Sequence, residues 1–235
     1  MNKIAVVTGG AKGIGRAIVK AFERNGDRVA IIDLLDNPYF MGDIADEKTL
    51  NKFAEKVIKD FGHIDYIVNN ACLSKGGIEN CSYDDFNYVL RVGATAPFYL
   101  AKLFKDHFAP GASIINISST REKMSQANTE SYSAAKGAIG ALTRALSISL
   151  AGRVRVNAIA PGWIDTFPYD FTEADYLQHP THSVGKPEDI AELVLFLVSD
   201  KAKFIDGETI AVDGGMSKQM IYHGDNGWSF DTKKK

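Results

Sequence analysis

Residues 3–33 read KIAVVTGGAKGIGRAIVKAFERNGDRVAIID, and the fold follows from how this stretch is divided. Ile4 to Val7 form a short apolar run of β-branched and small residues, and Val29 to Ile32 form a second one closed by Asp33. Between them, after the glycines Gly9, Gly13 and Gly15, apolar residues recur at three- and four-residue spacing until Gly26. Short apolar runs without alternation suit strands buried on both faces, whereas the longer periodic segment suits a helix with one buried stripe. The stretch therefore reads as strand, glycine turn, helix, strand.

The same alternation continues along the chain. YFMGDI, IDYIVNNA, SIINISS, VRVNAIAPG and ETIAVDGG read as further buried strands. ADEKTLNKFAEKVIKDFG, YDDFNYVLRVGATAPFYLAKLFKDHF, SYSAAKGAIGALTRALSISLAG and PEDIAELVLFLVSD read as helices. Gly26, Gly62 and Gly152 stand where helices should stop, and Pro187 followed by Glu188 and Asp189 suits a first turn. Alternating strands and helices predict an α/β fold with a doubly wound parallel sheet. No linker or repeat divides residues 1–235, so one domain is the simplest account. Two places are irregular. Asp33 to Asp43 is too short to hold a crossover helix, and the tail, residues 217–235, has turn residues and aromatics without a period. That tail has the composition to dock on its own body or on a partner subunit, and Lys233, Lys234 and Lys235 read as a solvated end.

Composition narrows the function classes. The chain has 235 residues, 45% apolar and 24% charged, with a formal net charge of −2. That length supports a large core, burying roughly 70 to 75% of the unfolded surface. The charge balance gives no footprint for nucleic acid, and no apolar run approaches a membrane span. The opening MNKIAVVTGG carries only a four-residue apolar run, too short for a signal-peptide core, so a cytoplasmic protein is expected. Cys72 and Cys81 are the only cysteines, too few for a disulfide framework or a thiolate metal site.

The glycine loop is the first feature that carries chemistry. Glycines remove the Cβ atoms that would keep backbone N–H groups and a helix N-terminus from a pyrophosphate. Asp33, closing the second strand, lies at the distance downstream expected of an acid that accepts hydrogen bonds from ribose hydroxyls. A carboxylate there would repel a 2′-phosphate, and no arginine follows in DLLDNPYF, so NAD is favoured over NADP. Lys12, inside the loop, is the one residue that tempers this preference.

TGGAKGIG, NNA at 69–71, SS at 118–119, YSAAK at 132–136, PGWIDT at 161–166 and VDGG at 212–215 together resemble the short-chain dehydrogenase/reductase family, over about residues 3 to 216. The resemblance implies a Rossmann-type sheet of about seven strands in the order 3-2-1-4-5-6-7, a nicotinamide cofactor and a homodimer or homotetramer. It also implies Ser119, Tyr132 and Lys136 as catalytic residues, with Ser118 facing away on the pleat. For the cofactor it implies Gly9, Gly13, Ile14 and Gly15 at the phosphates, Asp33 at the adenosine ribose, and Asp43 with Ile44 at the adenine. Asn70 and Ala71 would lie near the ribose. Pro161 and Gly162 open the motif that places Ile164 at the carboxamide and Thr166 near the carboxamide and pyrophosphate. Tyr132 and Lys136 would also touch the cofactor, and Asn69 and Asn157 match positions that look structural.

The Tyr132 and Lys136 pair has its own argument. A phenol with a pKa of about 10 is a poor base at neutral pH, and lowering it by two or three units requires roughly 3 to 4 kcal/mol. A cation about 4 Å away at an effective dielectric near 20 supplies on the order of 4 kcal/mol. Spacing of i to i+4 puts both groups on one helix face. The expected reaction is hydride transfer between a nicotinamide cofactor and a secondary alcohol or ketone, with Tyr132 exchanging the proton and Ser119 holding the substrate oxygen.

The sequence also departs from the family pattern. Gly93 stands where the family usually carries an asparagine whose carbonyl helps hold a water on the lysine, and its missing side chain could loosen the helix by roughly 0.5 to 1 kcal/mol or leave room for a water. Cys72 replaces a glycine near the expected nicotinamide ribose, without a base beside it to make it a nucleophile. FPYDFTEADYLQHPTHSV, in a substrate loop of about residues 166–185, is short and aromatic, which suits either a lid or the closing of a core edge. His179 and His182 read as ordinary loop histidines, and no metal is expected. Two other functions stay open: an NAD(H)-binding sensor with weak turnover, and an epimerase, dehydratase or lyase on the same fold.

Overall fold

The computed structural model describes residues 2–232, so Lys233, Lys234 and Lys235 lie outside the described residues. All seven expected runs become strands: β1 (Ile4–Thr8), β2 (Arg28–Asp33), β3 (Phe40–Met41), β4 (Ile64–Asn69), β5 (Phe108–Ile117), β6 (Val154–Pro161) and β7 (Thr209–Val212). They form one sheet in the order β3-β2-β1-β4-β5-β6-β7, and every pairing is parallel. β1 sits between β2 and β4, with Val6 paired to Ala30 on one side and Ile67 on the other.

The helices are α1 (Gly13–Arg24), α2 (Glu47–Phe61), α3 (Tyr83–Leu90), α4 (Ala96–Leu103), α5 (Glu130–Ser149), α6 (Glu173–Leu177) and α7 (Pro187–Val198). Pleat alternation sorts the strand side chains into two cores. Val6, Ile32, Ile67 and Ile114 pack with Leu50 and Phe53 of α2 and Leu100 of α4. Their neighbours Val7, Ile31, Val68 and Ile115 pack with Ile18 and Phe22 of α1 and Val194 of α7. Each such side chain, fully removed from water, contributes about 1.5–3 kcal/mol. Double burial is why the strands show no apolar and polar alternation in sequence.

Local chemistry ends the helices as expected. Gly26, Gly62 and Gly152 adopt φ values of +83°, +77° and +75°, the left-handed conformation that glycine supplies without strain. Asp46 caps α2 by accepting the Thr49 N–H at 2.8 Å, a contact worth about 1 kcal/mol. Three boundaries differ from the sequence reading. β3 shrinks to two residues at the sheet edge, where only β2 offers it a partner. β5 begins at Phe108, because Phe108 already pairs with Ile64 before the register shifts to Tyr66 and Ser113. The long helix expected over 83–108 is α3 and α4 joined by a π-helical turn at Arg91–Thr95. The tail forms two short turns, with side chains from Gln219 to Thr232 exposed and Trp228 packed on His223 and Phe230.

Candidate active site

The glycine loop leaves β1 at Thr8 and folds tightly on itself. Gly9 (φ +67°) donates its N–H to the Ile32 carbonyl at 2.8 Å, and Gly13 adopts φ +54°. A Cβ on Gly15 would lie 2.0 Å from the Gly9 oxygen, so no other residue fits there. Asn70, expected near a ribose, braces this loop: its side-chain amide donates to the carbonyls of Thr8 and Gly9 at 3.1 and 3.0 Å. The Thr8 hydroxyl accepts the N–H groups of Asn70 and Ala71 at 3.0 Å each. The Asp33 carboxylate takes the N–H groups of Ala11 and Leu35 at 2.9 Å, which ties the end of β2 to the loop. Asp43 accepts the Tyr88 hydroxyl at 3.0 Å and the Ala45 N–H at 2.8 Å, while Ile44 is buried in the core. Ile14 packs against the other core at the start of α1.

The segment after β6 closes over the same edge of the sheet. Pro161 pairs with Val212, and a Cβ on Gly162 would meet that of Asp213 at 2.6 Å, so the close strand approach requires glycine. Ile164 bridges to Gly185, and the Thr166 methyl would lie 3.5 Å from a Cβ on Gly13. Thr166 is thus brought to the glycine loop from 153 positions further along the chain, the difference between 166 and 13. An open, glycine-walled cradle edged by Asp33 and Thr166 fits the pyrophosphate and ribose of a dinucleotide.

Ser119 follows β5, its hydroxyl accepts the Arg121 N–H at 3.2 Å, and it lies close enough to the Tyr132 phenol to lower its proton affinity. Ser118 faces away, as the pleat predicts, donating to Glu122 at 2.9 Å. Tyr132 and Lys136 stand one turn apart on α5, with the buried Lys136 ammonium 5.4 Å from the centre of the phenol ring. That ammonium donates to the Ile117 carbonyl at 2.7 Å. The phenol is pushed up to about 12 by burial first and the Cys72 thiol second, while Ser119 and Arg121 pull it down. The net shift is thus upward, opposite to the direction expected from Lys136. Its charge is engaged at the end of β5, and desolvation of the phenolate outweighs the cations nearby.

Gly93 also departs from expectation. It is buried in the π-helical turn, and a Cβ there would stand 2.8 Å from the Cβ of Ala135, the neighbour of Lys136. The room anticipated for a water at the Cβ position is taken by α5. Missing side-chain volume serves close helix approach. Nearby, a buried polar chain joins the layers: Asn69 donates to Asn116 at 2.8 Å, and Asn116 to Thr143 of α5 at 2.9 Å. Asn157 bonds Ile205 and Glu208, so both asparagines act as struts.

Trp163 and, in the loop after Thr166, Tyr169, Phe171 and Tyr176 pack against one another edge-on or tilted at centroid distances of 4.9–5.9 Å, with Tyr169 and Tyr176 exposed. These rings form a surface cluster above the sheet edge. α6, which the sequence did not announce, carries a capping box in which Asp175 accepts the Thr172 N–H at 2.8 Å. His179 is no ordinary loop histidine: it is 1% exposed, Nδ1 meets the Asp175 carbonyl at 2.9 Å, and Nε2 has no hydrogen-bond partner among the described residues. His182 is exposed.

The glycine cradle, the Asp33 carboxylate beside it and the Ser119, Tyr132 and Lys136 cluster at the C-terminal edge of a parallel sheet fit an oxidoreductase of the dinucleotide-binding Rossmann class. Residues 9–217 match the family profile described as enoyl-(acyl carrier protein) reductase. An uncharacterized oxidoreductase of Thermotoga maritima is 38% identical, covering 94% of this chain and 98% of its own. The cis-4-hydroxycyclohexanecarboxylate dehydrogenase of Sinomonas cyclohexanicum is 31% identical over 91% of this chain and 96% of its own. An apo SCOR enzyme from Clostridium thermocellum superposes with a TM-score of 0.93 at 44% identity, covering 98% of this chain and 99% of that one. The chain belongs to the short-chain dehydrogenase/reductase family, whose members use nicotinamide cofactors.

Proposed function

We propose that this protein interconverts a secondary alcohol and a ketone with NAD(H). The observation that carries the reading is the meeting of the Tyr132 phenol with Ser119, one helical turn from Lys136, at the sheet edge that bears the glycine cradle. The dinucleotide would be held by Gly9, Gly13, Ile14 and Gly15 at its phosphates, Asp33 at a ribose, and Ile164 and Thr166 at the nicotinamide end. When bound, it supplies or takes the hydride at the substrate carbon. Ser119 donates a hydrogen bond to the substrate oxygen, and Tyr132 holds the proton that this oxygen gains or loses. With its phenol up at about 12, Tyr132 keeps that proton at neutral pH, which favours donation to a ketone. Lys136, anchored on the Ile117 carbonyl, orients a ribose hydroxyl. The secondary alcohol named in the Sinomonas relative accords with this substrate class.

Asp33 supports NAD, because a 2′-phosphate about 4 Å from its carboxylate would be repelled by on the order of 4 kcal/mol at an effective dielectric near 20. We further read the assembly as a homodimer or homotetramer in the cytoplasm. Among the described residues no helix is long and apolar enough to cross a membrane. Titration with NADH and NADPH, then turnover of an alcohol and ketone panel by wild type and Tyr132→Phe, tests the reading. NADH should bind the more tightly, and Tyr132→Phe should lose about 10²–10⁴-fold in kcat while still binding NADH. Tighter NADPH binding would overturn the Asp33 argument, and surviving turnover in Tyr132→Phe would overturn the proton donor.

A further inference from the structure

We propose that Arg121 receives a carboxylate of the substrate, so that the compound turned over is a short hydroxy acid or oxo acid. This deepens the alcohol and ketone reading above and rests on it. Arg121 stands two residues after Ser119, and its guanidinium carbon lies 5.8 Å from the centre of the Tyr132 ring. The side chain is half-buried, and its hydrogen-bond partner is a neutral amide, that of Gln126. No carboxylate of the described residues forms an ion pair with it.

The acids nearby in sequence are turned elsewhere. Glu122 accepts the Ser118 hydroxyl at 2.9 Å and lies under Gly140 of α5, against the opposite side of the turn. Glu130 accepts the Ile78 N–H at 3.1 Å. A cation without an ion pair among the described residues is thus left beside the reacting phenol. A guanidinium drawn partly out of water gains most from a bidentate carboxylate, which its planar fork matches. Because the guanidinium lies over the Tyr132 ring, a carboxylate on it must lie only a few bonds from the carbinol or carbonyl carbon that Tyr132 serves. A single planar fork suits a carboxylate better than a phosphate, which would call for further donors.

Matched pairs separate this recognition from turnover. Hydroxy acids with the carboxylate one, two or four carbons from the alcohol, 3-hydroxybutanoate among them, are each assayed beside their methyl esters with wild type, Arg121→Gln and Arg121→Lys. Wild type should favour the acid of at least one pair by about tenfold or more in kcat/KM, the factor a charged hydrogen bond supplies. That ratio should collapse in Arg121→Gln through KM and be partly kept in Arg121→Lys. Equal use of acid and ester by wild type would overturn the proposal. So would an acid-to-ester ratio unchanged in Arg121→Gln, even if both rates fell, since Arg121 would then act on Tyr132 alone. If no compound of these pairs or of the wider alcohol and ketone panel turns over, the alcohol and ketone reading fails, and calorimetric titration of 3-hydroxybutanoate into NADH-loaded protein still decides Arg121. Binding lost in Arg121→Gln supports the carboxylate site, and no binding to wild type overturns it.

Discussion

At the residue scale, Tyr132 is pulled in opposite directions. Burial and the Cys72 thiol favour the neutral phenol, while Ser119 and Arg121 favour the phenolate, and the first pair wins by lifting it to about 12. Removing the thiol should therefore lower the phenol's proton affinity. In Cys72→Ala the basic limb of the pH–rate profile for alcohol oxidation should move to lower pH, and an unmoved limb would show that the thiol has no hold on Tyr132. Stability has its own sign. The folded phenol binds its proton more tightly than the ordinary tyrosine value of 10.0, so the contribution of Tyr132 is whole below that pH and is lost as pH rises through about 12. Urea melts of wild type and Tyr132→Phe should accordingly converge, or cross, over that interval. Tyr132 and Lys136 were legible in sequence from their i to i+4 spacing. The roles of Cys72 and Arg121 were not, because both reach the phenol from other segments of the chain.

At the scale of elements, Gly93 shows how a missing side chain shapes a contact. An added methyl would gain about 1 kcal/mol of helix propensity but would press on Ala135, and overpacking of that kind costs about 1–3 kcal/mol. Gly93→Ala should thus lose a net of up to about 2 kcal/mol, lowering Tm by roughly 2–8 °C in a chain of this size. A calorimetric Tm equal to or above wild type would mean that the two helices separate without strain. The π-helical turn itself could not be read from apolar periodicity, because one extra residue barely disturbs a three- and four-residue repeat. Nor was α6 visible, since five residues span little more than one turn. His179 gave no sign of burial for a related reason: Asp175, Trp163 and the Gly214 turn cover it only once β6 and β7 are paired.

For the whole molecule, the glycine cradle and the Ser119, Tyr132 and Lys136 cluster belong to segments that meet only along the C-terminal edge of the sheet, so dinucleotide binding should stabilise the entire fold. NADH at about 100 times its Kd should add about 2.7 kcal/mol, or roughly 5–10 °C in Tm. Asp33→Ala at the same NADH concentration should show a smaller shift, and an equal one would remove Asp33 from the site. The positions of strands, helix stops and the glycine loop could be taken from the chain itself, since they rest on local backbone preference and on the period of apolar residues, whereas the order of strands in the sheet came only from the family resemblance. Even β3, two residues long, was foreseen as a strand, although its length was not, because an edge strand's extent depends on what β2 offers it. What required the folded molecule was every quantity set by distant neighbours: the proton affinity of Tyr132, the anchoring of Lys136 on Ile117, the bracing of the loop by Asn70 and the Arg121 guanidinium placed over Tyr132 without an ion pair among the described residues. Burial, charge and hydrogen bonding act through space, and parallel strand pairing brings together residues from positions far apart in sequence.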